Sequence, residues 1–194
     1  NDNCAGASIA QTAGDPSGSN FAVGSHTITY TATDAAGNAI EESITIIIVD
    51  NEDPSIDGLS ANLTPSAAAG TCGANVSWNE PTANDNCAGA SIAQTAGDPS
   101  GSNFAVGSHT IAYTATDAAG NTHDESFTIT VSDDEDPSID GLSANLTPSA
   151  AAGTCGADVS WDEPTANDNC AGASIAQTAG AASGTNFAVG SHTI

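Results

Sequence analysis

The sequence predicts an all-β protein built as a tandem array of sandwich domains, and three observations predict it. The string NDNCAGASIAQTAG starts at Asn1, Asn84 and Asn167, so the chain repeats itself at a constant offset of 83. Within each repeat, short Thr-, Val- and Ile-rich runs alternate with clusters of Gly, Pro, Asn and Asp, the pattern of a β-sandwich. No stretch carries helical periodicity; the run Ala67–Ala69 is short and is stopped by Gly70.

Aligned on itself at that offset, the chain pairs 111 positions, of which 14 differ. Linkers are expected at Asp50-Asn51-Glu52-Asp53-Pro54 and Asp133-Asp134-Glu135-Asp136-Pro137. Each follows a β-patterned run and ends in Pro, which cannot continue a ladder. Residues 1–50 then read as the back of one repeat, 51–133 as a whole repeat and 134–194 as the front of a third. Such a chain is expected to be a window cut from a longer polymer.

Strands follow from period-two patterning. Residues 72–78 place Cys72, Ala74, Val76 and Trp78 on one face, and residues 91–95 are anchored by Ile92. Residues 109–116 set Ile111, Tyr113 and Ala115 against Thr110, Thr114 and Thr116. Residues 125–131 turn Phe127, Ile129 and Val131 inward. In the preceding repeat, Ser43–Val49 does the same with Ile44, Ile46 and Ile48, leaving Ile47 and Val49 outside. Asp117-Ala118-Ala119-Gly120-Asn121 reads as a hairpin turn, because Gly and Asn tolerate positive φ.

The chain has no Lys or Arg against 24 Asp and Glu, a formal charge of −24. Nucleic acid is excluded as a partner, since phosphate binding needs cationic side chains. Attraction to an anionic membrane surface is excluded on the same ground, and no apolar run reaches the roughly 20 residues that span a bilayer. Such a polyanion needs counter-ions. Oxygen ligands select hard cations, so Ca²⁺ is the expected one.

Cysteines fall two to a repeat: Cys72 with Cys87, and Cys155 with Cys170; Cys4 is expected to be the second of a pair begun upstream. The short, constant spacing of each pair, with a Trp between, predicts a disulfide inside each repeat. With it comes an oxidising, extracellular setting. A metal site is the lesser reading, for lack of a CxxC pair or a nearby His.

Trp78, Pro81, Asn84-Asp85-Asn86, Phe104-x-x-Gly107, Tyr113-Thr114-Ala115-Thr116-Asp117-Ala118-Ala119-Gly120-Asn121 and Phe127-x-Ile129-x-Val131 resemble the hyalin repeat (HYR) domain, and the Tyr-to-Asn run recurs at Tyr30–Asn38. The resemblance covers the whole chain. It implies immunoglobulin-like sandwiches in tandem, in extracellular proteins with adhesive roles. The near-identity of the copies is similar to the repeat regions of bacterial surface adhesins. The linkers also resemble in kind the acidic linkers of cadherins, where carboxylates precede Pro.

Cation ligands are expected at three places: the linkers (Asp50, Glu52 and Asp53; Asp133, Asp134, Glu135 and Asp136), the hairpin turns (Asp34 with Asn38, Asp117 with Asn121) and Asp85 of the Asn84–Asn86 run. Ca²⁺ held between a linker and an adjacent loop stiffens a joint. The same residues also serve as ordinary solvated turns. His26, His109 and His192 share one repeat position at a strand edge and, with no second His or Cys near in sequence, are not expected to be ligands. Asn62-Leu63-Thr64, Asn145-Leu146-Thr147 and Asn75-Val76-Ser77 are glycosylation sequons. No nucleophile elbow or metal-hydrolase motif is present, so no enzyme is expected.

The reading is a structural or adhesive segment of a long extracellular surface protein or secreted filament, stiffened by Ca²⁺. Its first partners are the neighbouring repeats of its own chain, then other copies of the filament. The alternatives are a self-assembling fibre or sheath subunit and a glycan-binding module acting by avidity.

Overall fold

The computed structural model describes residues 5–194, so the reading of Cys4 lies outside the described residues. Strands β1 (Ser8–Ala13), β2 (Gly24–Thr33) and β3 (Ala39–Ile48) belong to the first repeat. The middle repeat contributes β4 (Ser55–Asp57), β5 (Gly73–Asn75), β6 (Thr82–Asn84), β7 (Ser91–Ala96), β8 (Asn103–Ala105), β9 (Gly107–Thr116) and β10 (Thr122–Val131). The third adds β11 (Ser138–Asp140), β12 (Gly156–Val159), β13 (Thr165–Asn167) and β14 (Thr185–Ala188). There is no helix among the described residues, and so none long and apolar enough to cross a membrane.

Contacts divide the chain into two compact units. One holds residues up to Asp57 with Thr82–Ala93 and Thr114–Asp124; the other holds Gly58–Pro81, Gln94–Tyr113 and Glu125–Ile194. The division runs through the middle repeat and not through the acidic linkers. Each linker therefore lies inside one unit, with strands of both repeats that it joins.

In the first unit β1-β2-β3 is antiparallel, with β2 and β3 in unbroken register from Gly24↔Ile48 to Thr33↔Ala39. A register shift between Gln11 and Ala13 bends β1. The short pair β4–β6 matches Ile56 to Ala83, and Ile28 and Ile56 are buried. Of the three isoleucines expected inside on β3, Ile46 and Ile48 are half-buried. Ile44 is a correction: it is 57% exposed. Phe127, at the same repeat position, is 3% exposed. Among the described residues, nothing buries the Ile44 side of the first repeat as the second layer buries Phe127.

In the second unit β5 pairs with β8, setting Ala74 opposite Phe104. Bridges Leu63↔Ile129 and Ser66↔Ser132 tie residues 63–66 in parallel to β10 and the residue after it. Over the whole middle repeat, one sheet runs β10-β9-β7. The predicted alternation holds: Ile111, Tyr113, Phe127, Ile129 and Val131 are buried, and their Thr neighbours are not. Trp78 lies between the layers, 6.1 Å from the Phe104 ring and edge-on to Phe127 at 5.3 Å. These layers over an apolar core are an immunoglobulin-like sandwich, repeated in tandem. Burying each large apolar side chain is worth about 1.5–3 kcal/mol.

One polar chain threads that core. The Trp78 indole N–H donates to the Tyr113 hydroxyl at 2.8 Å, and that hydroxyl donates to Glu80 Oε2 at 2.7 Å. Burial, with the Glu80 carboxylate beside it, pushes the Tyr113 pKa up even though the Trp78 bond opposes the shift. Cys72, expected on the inner face with Ala74, is exposed instead. The strand starts at Gly73, and Cys72 belongs to the turn before it, which Thr71 closes on the Ala68 carbonyl.

Gly97 sits at φ +84°, where a Cβ would lie 2.7 Å from the Thr110 carbonyl oxygen and 2.4 Å from Ile111 Cδ1. Gly120 has φ +95° and open space around it. The left-handed region alone costs a side chain about 1–2 kcal/mol. Gly120→Ala is therefore expected to lose about that much in urea unfolding. Gly97→Ala is expected to lose at least about 1 kcal/mol more, because its neighbouring backbone must also move.

Candidate functional site at the acidic joints

The hairpin turns come first, because the chemistry of the joints is laid over them. Asp117 Oδ1 accepts the N–H groups of Gly120 (2.6 Å) and Asn121 (2.7 Å), and Oδ2 accepts the Asn121 side-chain amide at 2.7 Å. Asp34 makes the same clasp with Ala36 and Asn38 in the first repeat. Asp117 is 7% exposed. Burial would raise its pKa, but the Asn121 side chain and the turn N–H groups outweigh that and hold it below the usual 3.8. Asp34 is lowered chiefly by its bond from the Asn38 side chain. Both carboxylates are engaged in making their turns.

At the first joint the same Asn121 amide reaches the linker, donating to the carbonyl oxygens of Asp50 (3.2 Å) and Glu52 (3.1 Å). Asn86 donates to Glu52 Oε2 at 3.0 Å. Asp50, Asp85 and Cys87 bring ligand-type atoms within 4.8 Å of one another. Hydrogen bonding to Asp50, with burial and the charges of Asp50, Asp85 and Asp117, pushes the Cys87 thiol up to about 11. Asp53 is exposed, whereas Pro54 behind it is buried.

At the second joint the linker is held from both sides. From the preceding repeat, the Ser66 hydroxyl donates to Asp134, and the Gly70 N–H donates to Glu135 Oε2 at 2.8 Å. From the following repeat, Asn169 donates to Asp133 Oδ1 at 3.1 Å and to the Thr71 carbonyl at 2.8 Å. Asp133, Asp134 and Glu135 line a shallow hollow with Ala67 and Ala69; Asp136 points to solvent.

The cysteines correct the sequence reading. Cys72 is bonded to Cys170, with Cα atoms 4.8 Å apart at a sequence separation of 98. Cys87 and Cys155 carry free thiols. No bond closes inside a repeat, neither Cys72 with Cys87 nor Cys155 with Cys170. A disulfide needs Cα atoms within about 7 Å. Cys72 and Cys87 belong to different compact units. The turn holding Cys72 instead meets the Asn-Asp-Asn-Cys run of the next repeat, which Asn169 fastens to the neighbouring Thr71.

Three side-chain oxygens at the joints are enclosed and without a hydrogen-bond partner: Asp85 Oδ1, Asp168 Oδ1 and Asn169 Oδ1. All are acceptors. Asp85 and Asp168 are the same repeat position at successive joints. His26, His109 and His192 each bond through Nε2 to a main-chain carbonyl four residues earlier, at 2.8 Å. Each also packs on a Phe ring.

The HYR domain family matches residues 1–48, 49–131 and 132–194. The chain belongs to the HYR domain family. Hyalin of Strongylocentrotus purpuratus is 36% identical over 153 residues, 77% of this chain, and hyalin of Lytechinus variegatus is 35% identical over 173 residues, 88% of it. The chain spans 13% and 32% of those two proteins. A protocadherin gammaB7 EC3-6 cis-dimer structure matches at 17% identity with a TM-score of 0.39, over 77% of this chain and 41% of that one, a likeness too loose to carry an inference.

In these HYR repeats, the Asn-Asp-Asn run matters for its amide donors as well as for its oxygens. Asn86 and Asn169 fasten the linkers, a role that sequence reading misses. The absence of Lys and Arg is the available signal: it leaves neutral groups, amides and hydroxyls, as the usual side-chain donors to carboxylates.

Two outcomes are expected. Because the folded pKa of Asp117 lies below its unfolded value of 3.8, its contribution is complete above that pH and is lost as pH falls through the folded value. Asp117→Asn should therefore lower Tm at pH 7, and the gap from the parent should narrow as pH falls below 3.8. In alkylation at pH 8, exposed Cys155 should react well before Cys87, which is bonded to Asp50.

Proposed function

We propose that this chain is a spacer segment of a long extracellular surface protein or filament, in which HYR repeats supply length and the acidic joints set stiffness. One observation carries the reading. At the second joint, three successive linker carboxylates are bonded to named groups on both flanking repeats. A linker that only tethered its neighbours would make no such bonds to them. The disulfide supports an oxidising, extracellular setting, and the hyalin relatives support a role carried by many repeats.

Ca²⁺ adds to the hold at the joints. Asp85, and Asp168 with Asn169, fit it, because their enclosed oxygens are acceptors that no donor among the described residues satisfies, and oxygen sets suit a hard cation. When bound, the ion supplies positive charge that a chain without Lys or Arg lacks. Cys87 does not fit a calcium set, and its counterpart Cys170 is occupied by the disulfide.

Thermal melts with Ca²⁺ and with EGTA test this. An ion at a hundredfold excess over its Kd adds about 2.7 kcal/mol of stability, so Tm should rise with Ca²⁺ and fall back with EGTA. The double variant Asp85→Asn, Asp168→Asn should lose that response. Equal Tm in both buffers would remove Ca²⁺ from the account. Negative-stain images of a long array should show single beaded strings; thick bundles would favour a self-assembling fibre.

A further inference from the structure

We infer that the Cys72–Cys170 bond is one link of a regular series that staples every repeat to the next. An oxidised array then bears tension, in each repeat, only through one disulfide and the short span between that repeat's own two cysteines. The separation of 98 is one repeat offset, 83, plus 15, the spacing of a repeat's own two cysteines. The bond therefore joins the first cysteine of one repeat to the second cysteine of the following repeat. Shifted by one repeat, the same rule gives Cys155 a partner downstream at a separation of 98, and gives Cys87 a partner upstream at the same separation. Among the described residues, the two free thiols are the two for which that rule finds no partner within residues 1–194.

The surroundings of the free thiols support this. Cys155 sits in the frame of Cys72. The Thr154 N–H donates to Ala151 at 3.0 Å as Thr71 does to Ala68 at 2.9 Å, and the Cys155 carbonyl accepts from Val189 as that of Cys72 does from Val106. Cys87 sits in the frame of Cys170. Its N–H donates to Asp85 Oδ2 at 2.9 Å, and that of Cys170 donates to Asp168 Oδ2 at 3.2 Å. Each free cysteine already holds the backbone geometry of its bonded counterpart. The acidic and thiol groups of Asp50, Asp85 and Cys87 are thus half of a joint.

Formation of each link balances as an exchange. Two cysteine thiols and one small-molecule disulfide, such as that of glutathione, give the protein disulfide and two small thiols.

The mechanical consequence follows from connectivity. Successive loops overlap by the residues between a repeat's two cysteines, 72–87 and 155–170. Force entering at Cys87 passes back along the chain to Cys72, across the bond to Cys170, and back again to Cys155. The other residues of each repeat lie outside the load path. A whole unlinked repeat pulls out to about 290 Å, and the span from Cys72 to Cys87 to about 50 Å.

Two experiments test the inference. Trypsin has no site in this chain, but cleavage before Asp places the five cysteines in separate peptides: 2–14, 57–84, 85–97, 140–157 and 168–194. Non-reducing digestion of the whole chain, refolded with glutathione disulfide, should join 57–84 to 168–194 and yield 85–97 and 140–157 joined to no peptide of their own repeat, as thiols or glutathione mixed disulfides. Linkage of 57–84 to 85–97, or of 140–157 to 168–194, would overturn the inference. A tandem chain of eight repeats is then stretched singly. Oxidised, it should extend no further than about 50 Å per repeat; reduced, or with every first cysteine replaced as in Cys72→Ser, it should reach about 290 Å, a five- to sixfold difference. Extension of the oxidised chain to about 240 Å per repeat, the value for bonds closed within repeats, would refute it.

Discussion

Carboxylates in this chain have no Lys or Arg to pair with, and the joints are shaped by how that constraint is met. With 24 acidic residues and neither of those cations, the carboxylates at the joints turn to backbone N–H groups, Asn amides and hydroxyls. Asp117 folds a turn around itself. The same Asn121 that caps it then reaches across to the linker carbonyls. Glu135 takes the Gly70 N–H, and Asp133 takes the Asn169 amide. Bonds to a charged acceptor are worth about 1.5–3 kcal/mol in general, so a few of them suffice to seat a linker.

The compact units are consistent with this. The boundary between them passes through the middle repeat, while both linkers lie inside units. A joint thus belongs to a compact unit and is not a boundary between units. The disulfide falls at the same place, beside the Thr71 carbonyl that Asn169 already holds. The Asn169 hydrogen bonds and the covalent bond hold the same two segments together.

Much of the fold is legible in the sequence because its signals are local. Period-two alternation marks Ile111, Tyr113, Phe127, Ile129 and Val131 as core, and they are buried. Asp117 to Asn121 carry the chemistry of their own turn. The short strands β4, β6 and β8 escape such reading, because three residues are too few to show a period. Ile44 departs from expectation because alternation tells which face a side chain takes, not whether anything covers that face. The cysteine pairing departs for a related reason. Nearness in sequence is not nearness in space, and in a tandem array the matching position one repeat away is an equal competitor. Of the expected ligand residues, Asp50 and Asp85 come together, Asp34 and Asp117 are engaged by turns, and Asp53 and Asp136 face solvent.

The central claim is that donors of the flanking repeats hold the acidic linkers in place. Backbone ¹⁵N relaxation across residues 133–136 tests it most directly, in buffer containing a chelator so that the protein's own bonds act alone. The account predicts order parameters near about 0.85, level with those of β9 and β10. Values below about 0.6 would show a flexible tether and contradict it.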